Sequence, residues 1–187
     1  MRSTVRVRPA GPGDVAELVR ITEGAAVAPP RGQHSPDRTA RYTALLAAPD
    51  RIVLAAVDER TDRIVGVLVA SEDDVGSLVP VRAVIVSHLV VEMPNRRRGV
   101  GRALLAGVVR QAEERGIEQI VVSVTSGNRD ANRYLARLGF SPLVVRRVAG
   151  TSLLRRTLGM GDVSDVASIR RRRLQAVLPS GAVSRGA

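Results

Sequence analysis

The sequence predicts an α/β domain in which an antiparallel meander passes into a strand–helix–strand crossover. Three observations predict it. Residues Val84–Val91 form an apolar, β-branched run broken only by Ser87 and His88, the pattern of a strand buried on both faces. Pro94 and Asn95 stop that strand, a basic loop follows with glycine at 99 and 101, and Val100, Leu104, Leu105 and Val108 then repeat at helical spacing. Upstream, Arg51–Val57 and Arg63–Ala70 are apolar strands joined by the charged turn Asp58–Asp62, which is a hairpin pattern.

The other elements follow in chain order. Thr4–Arg8 alternates Val5 and Val7 with polar neighbours, a short half-buried strand. Pro9–Gly13 turns the chain, and Asp14 is the expected cap of a helix with Val15, Leu18, Val19 and Ile21 on one side. Gly24–Pro36 is rich in Pro, Gly and Ala and reads as a loop; His34 lies there as a solvated histidine. Asp37–Ala47 has helical spacing and ends before Pro49. A second turn, Ser71–Pro80, carries Glu72, Asp73 and Asp74 as a solvated hairpin tip. Gly116 closes the helix Gly101–Arg115, and Ile120–Val124 is the next strand, parallel to 84–91 through the crossover. Asp130–Leu138 is a short helix ended by Gly139, with Phe140–Val148 returning as a strand. Beyond Gly150 the pattern weakens, to one candidate helix at Ser164–Val177 and a frayed end at Ala182–Ala187. The expected organisation is a domain at 1–150 and a basic extension at 151–187.

Composition narrows the function classes. With 44% hydrophobic residues and charges mixed throughout, the chain is expected to be soluble and globular. Aromatics are 2%, so the core is built from aliphatic residues. The absence of cysteine removes disulfides, thiolate metal sites and a Cys nucleophile, and two histidines are too few for a His-rich metal site. No apolar stretch approaches the ~18 residues of a membrane span, and the N-terminus lacks a signal-peptide core, so the cytoplasm is the expected compartment. The net charge is +11, and its positive side comes entirely from arginine, since the sequence has no lysine. Residues 151–187 hold seven arginines against two aspartates, so +5 lies in the tail and +6 in the body. Such an excess suits an anionic cofactor or a nucleic acid.

The loop Arg96-Arg97-Arg98-Gly99-Val100-Gly101-Arg102 is a natural phosphate site. Amides at the start of a helix are unpaired, the helix dipole favours an anion there, and arginines bond phosphate oxygens in pairs. Arg96-x-x-Gly99-x-Gly101 resembles the Arg/Gln-x-x-Gly-x-Gly/Ala signature of the GNAT superfamily of acyl-CoA-dependent N-acetyltransferases. A second match, Asn128-x-x-Ala131 through Gly139-Phe140, resembles the superfamily's Asn-x-x-Ala…Gly-Phe segment at its usual spacing. The resemblance covers about residues 4–148. It implies a mixed, mostly antiparallel sheet of six or seven strands with about four flanking helices, in which the two parallel strands splay apart to admit the pantetheine arm. GNAT domains are often dimers, so a homodimer is a further expectation.

The resemblance also implies a reaction: direct attack of a neutral amine on the thioester carbonyl of acetyl-CoA, the co-substrate. Main-chain groups of Leu89, Val90 and Val91 would pair with pantetheine, Arg96–Arg102 would take the pyrophosphate, and Asn128 would bond the arm. The superfamily's usual thiolate-protonating tyrosine falls at Leu135 in this chain. Tyr134 is one residue earlier, turned by ~100° about the helix, and reads either as the acid or as an aromatic packed on the sheet. His88 reads either as the base that takes the amine proton or as a satisfied strand-end histidine. Glu92 is a second base candidate or a partner of the neighbouring arginines, and a water chain is the third route. Three functions are compatible with these residues. The first is N-acetylation of a primary amine on a small molecule, peptide or protein. The second is a catalytically weak acyl-CoA-binding regulator, and the third is action on RNA through the arginine-rich tail. The scarcity of aromatics to stack on bases counts against the third. No metal and no membrane partner is expected.

Overall fold

A computed structural model describes residues 5–24, 37–76, 80–125, 127–145 and 147–160. The chain forms two compact units, a first that ends at Tyr134 and a second that begins at Leu135. In the first unit the elements are β1 (Val5–Pro9), α1 (Val15–Gly24), α2 (Arg38–Ala47), β2 (Arg51–Asp58), β3 (Arg63–Val75), β4 (Val81–Val91), α3 (Val100–Glu114) and β5 (Gln119–Val122). Helix α4 (Arg129–Arg137) crosses into the second unit, which also contains α5 (Thr151–Thr157).

The five strands lie in the order β1-β2-β3-β4-β5, antiparallel except for the last pair. Alternation along β2 splits the core into two layers. Val53, Ala55 and Val57 join Val67, Val69 and Val90 against Leu18 and Ile21 of α1 and Tyr42 of α2. Leu54 turns to the other face, under α3, whose stripe Val100, Leu104, Leu105, Val108 and Ala112 is buried. Helix α3 comes close to the sheet because two positions lack a Cβ. One built at Gly107 would lie 2.9 Å from Leu54 Cδ1, and one at Gly66 would lie 2.9 Å from Val100 Cγ1.

Several expectations need correction. Asp14 does not cap α1 directly. A 3₁₀ turn, Pro12–Asp14, precedes the helix with Gly11 at its cap, and Asp14 reaches back to accept the Gly11 amide at 2.7 Å and both Arg8 guanidinium nitrogens at 2.6 and 2.8 Å. That ion pair holds the Asp14 carboxyl below its usual range. Glu72, Asp73 and Asp74 lie on β3, not in a turn, because Arg82 on β4 pairs with Glu72 and lets the hairpin run on to Val75 and Val81. Phe140–Val148 is not a strand among its described residues. Leu143, Val144, Val145 and Val148 are 65–91% exposed, and β-branched side chains do not make a strand without a ladder partner. The described sheet therefore has five strands rather than six or seven, and the described helices number five. Helix α5 lies in the stretch where the sequence pattern weakens. His34, most of the 24–36 loop and the Ser164–Val177 segment lie outside the described residues. Among the described residues no helix is long and apolar enough to cross a membrane.

Candidate active site

The two parallel strands part midway. Their register ends at Val86↔Val122, with Ser123 N donating to Val86 O at 2.9 Å, while β4 continues beside β3 to Val91. A bulge at Ser87 makes the change possible: Val86 pairs with Ala70, His88 pairs with Val69, and Ser87 between them donates its hydroxyl to Val69 O at 3.1 Å. Beyond the bulge the Glu92 amide donates to Val65 O on β3 at 3.0 Å. In an antiparallel ladder successive residues point their main-chain groups to opposite sides. Val90 therefore turns its groups toward β3, and Leu89 and Val91 turn theirs into the space that β5 has left. The Val91 carbonyl accepts Arg96 Nε at 3.1 Å.

The basic loop starts where the strand stops. A 3₁₀ turn, Met93–Asn95, leads to Arg96, Arg97 and Arg98, all exposed, with Arg97 in the left-handed region at φ 59°. Gly99, at φ 86°, is the N-cap of α3, and its carbonyl takes the Ala103 amide at 3.0 Å. The amides of Val100, Gly101 and Arg102 in the first turn have no intrahelical acceptor. Val100 is 1% exposed, so its side chain belongs to the core and it offers only its amide. A Cβ built at Gly101 would lie 3.7 Å from Tyr134 Oη and 4.0 Å from Val91 Cγ2. Strand end, loop, helix start and Tyr134 thus meet around one glycine.

The Tyr134 hydroxyl is buried and has no hydrogen-bond partner among the described residues. Burial pushes its pKa up, opposed by Arg102, so it is a neutral donor at neutral pH. Leu135, at the superfamily's tyrosine position, is buried at 7% exposure. Asn128 caps α4: its Oδ1 accepts the Ala131 amide at 3.1 Å, and its carbonyl takes the Asn132 amide at 3.1 Å. Its side-chain NH₂ has no partner among the described residues.

His88 occupies the other face. It lies opposite Val69, which packs in the α1/α2 layer, so its ring is on that side of the sheet, half-buried. Burial and, less strongly, Arg41 on α2 push its pKa below the usual 6.5, which leaves it neutral at pH 7. The Ser87 hydroxyl has one proton and gives it to Val69 O, so the 3.1 Å contact between Ser87 Oγ and His88 Nδ1 assigns the donor role to Nδ1. The Nε2 lone pair is then free to take a proton. Glu92, the other base candidate, does not pair with the loop arginines. Its carboxylate is held by Arg20 of α1 and by Asn95 Nδ2 at 3.2 Å. Sequence reasoning missed Arg20; the only local sign was the i,i+3 pair with Glu17.

These features test the fit of an acyl-CoA group. A strand end that turns the main-chain groups of Leu89 and the Val91 amide into a gap, a helix start in a run of arginines, a glycine whose missing Cβ keeps the approach open and an orphaned buried hydroxyl all suit a long polar arm that ends in phosphates. Comparison with known proteins bears on the same region. The GNAT acetyltransferase family model matches residues 18–140, from α1 through the arginine loop to the end of α4. The chain belongs to the GNAT acetyltransferase family. Solved structures share the fold at low identity. A transcriptional regulator from Bacillus halodurans C-125 has a TM-score of 0.66 at 19% identity, covering 78% of this chain and 99% of the regulator. A ribosomal-protein-alanine N-acetyltransferase from Brucella melitensis biovar Abortus 2308 gives 0.64 at 19%, covering 79% and 99%. An aminoglycoside acetyltransferase from an uncultured soil metagenomic sample gives 0.64 at 18%, covering 78% and 95%. Among curated proteins no sequence matches this GNAT chain.

Proposed function

We propose that this GNAT protein transfers the acetyl group of acetyl-CoA to a primary amine of a small molecule, a peptide or a protein, by direct attack and in the cytoplasm. The observation that carries the reading is the convergence of the splayed end of β4, the first turn of α3 and the unpartnered Tyr134 hydroxyl around Gly101. Bound acetyl-CoA supplies an activated thioester; the chain's own residues do the rest. Main-chain groups of Leu89 and the amide of Val91 hold the pantetheine arm as an added strand would, with Val90 between them fixed to β3 and the Val91 carbonyl held by Arg96. The amides of Val100, Gly101 and Arg102 and the side chains of Arg96, Arg97, Arg98 and Arg102 take phosphate oxygens, and the Asn128 side-chain NH₂ is available to the arm. Nε2 of His88 receives the proton of the amine on the α1/α2 face. Tyr134, kept protonated by burial, donates from the opposite side, to the arm or to the leaving sulfur. Structural relatives bear on the amine class: one is described as acting on ribosomal-protein alanine, and AAC(6')-Iy is seen with the bisubstrate analogue CoA-S-monomethyl-acetylneamine.

The packed Leu135 at the position of the usual acid favours the second reading, a weak catalyst that mainly binds acyl-CoA. One assay separates the two. Free thiol released from acetyl-CoA is followed over a panel of amines that includes polyamines, aminoglycosides and N-terminal peptides. Amine-dependent release supports the transferase, and CoA binding without amine-dependent release replaces it with the binding protein.

A further inference from the structure

We propose that Arg20, on α1, is a positioning residue for the cofactor loop, acting through Glu92; this rests on the acyl-CoA reading above. Glu92 is the hinge between strand and loop. Its amide donates to Val65 O at 3.0 Å, its carbonyl accepts the Asn95 amide at 2.9 Å, and its carboxylate accepts Asn95 Nδ2 at 3.2 Å. Arg20 closes the network from the other side of the hinge. Its guanidinium holds Glu17 through Nη2 at 2.8 Å and Nε at 3.2 Å, donates to Ile64 O at 3.1 Å, and bonds the Glu92 carboxylate through Nη1. One planar fork thus ties α1, the start of β3 and the turn that launches Arg96. The two carboxylates raise the Arg20 pKa, Glu17 contributing first and Glu92 second. The guanidinium also gives the Glu92 carboxylate a cationic partner at the head of the loop.

The consequence is geometric. Without Arg20 the Glu92 side chain is released, Asn95 loses its side-chain anchor, and the loop must be ordered when the ligand arrives. That ordering weakens binding without removing a ligand contact. The experiment measures CoA affinity of the full chain by calorimetry, together with thermal melting, for wild type, Arg20→Ala, Arg20→Lys, Glu92→Gln and the Arg20→Ala/Glu92→Gln double variant. Arg20→Ala and Glu92→Gln should each weaken CoA binding about tenfold. Arg20→Lys should recover only part of that loss, because it restores the charge and not the fork. The double variant should be no worse than the weaker single, as expected of residues that act as a unit. Glu92→Gln keeps the side-chain volume, so it remains informative if Arg20→Ala does not fold. Variants that melt lower yet bind CoA as wild type does would show a purely structural ion pair and overturn the proposal, as would additive losses in the double variant. Wild type that fails to bind CoA would overturn the acyl-CoA reading itself.

Discussion

Gly101→Ala should separate stability from cofactor binding. In the free protein the new Cβ would meet Tyr134 Oη at 3.7 Å and Val91 Cγ2 at 4.0 Å, both ordinary contacts, and Gly101 is not among the glycines with positive φ. The helix gains up to about 1 kcal/mol from replacing glycine by alanine, so the melting temperature should hold or rise by a few degrees. The same methyl sits where a phosphate oxygen must approach to about 2.9 Å of an amide nitrogen. Losing one charge-assisted bond costs about 1.5–3 kcal/mol, roughly a 10- to 150-fold rise in the Kd for CoA. Arg97→Ala is the control. The side chain is exposed, and a surface ion pair contributes about 0–1 kcal/mol, so its effect should stay within roughly fivefold. Calorimetry with CoA and thermal melts on both variants make the comparison. Equal losses, or wild-type affinity in Gly101→Ala, would refute backbone-led phosphate binding at this helix start.

Three further outcomes are expected. Tyr134→Phe removes a buried hydroxyl without a partner and should raise the melting temperature of the free protein while weakening CoA binding by about 1 kcal/mol; a lower melting temperature would contradict the placement, and a turnover loss of about 10²-fold would make the hydroxyl the general acid. His88→Ala should lower the rate and flatten the acid limb of the pH profile. The wild-type imidazole, depressed by burial, loses its basic form only as pH falls through a pKa below 6.5, and an unchanged profile would remove His88 as the base. Gly66→Ala should cost about 1–3 kcal/mol of stability by overpacking, because its Cβ would lie 2.9 Å from Val100 Cγ1 and 3.2 Å from the Val90 carbonyl, which cannot swing aside; chemical denaturation checks it.

Much of the fold was legible because it rests on local pattern. The aliphatic runs of β2, β3 and β4 and the three-to-four spacing of α3 each record a buried face, and the switch from hairpins to a crossover follows from their order. The loop was legible because glycine and arginine at fixed spacing carry their own chemistry. Features that depend on distant pairing were not. Nothing local marks Ser87 as the bulge that turns His88 to the α1/α2 face. Arg20 and Glu92 are 72 residues apart, so the tie between α1 and the loop appears only once β3 and β4 are paired. Phe140–Val148 misled because β-branched residues record a preference for strand and say nothing of whether a partner edge is present. The tyrosine shift was visible as a one-place departure. Its meaning was not: Leu135 fills a buried position, and Tyr134, ~100° around the helix, brings its hydroxyl to Gly101.

Hydrogen–deuterium exchange of the full chain with and without CoA tests the account most directly, because it reads main-chain groups without altering any side chain. The account predicts slower exchange on adding CoA in peptides that cover His88–Glu92 and Arg96–Arg102, with β2 unchanged. Saturating CoA that leaves both segments exchanging as in the free protein would contradict it.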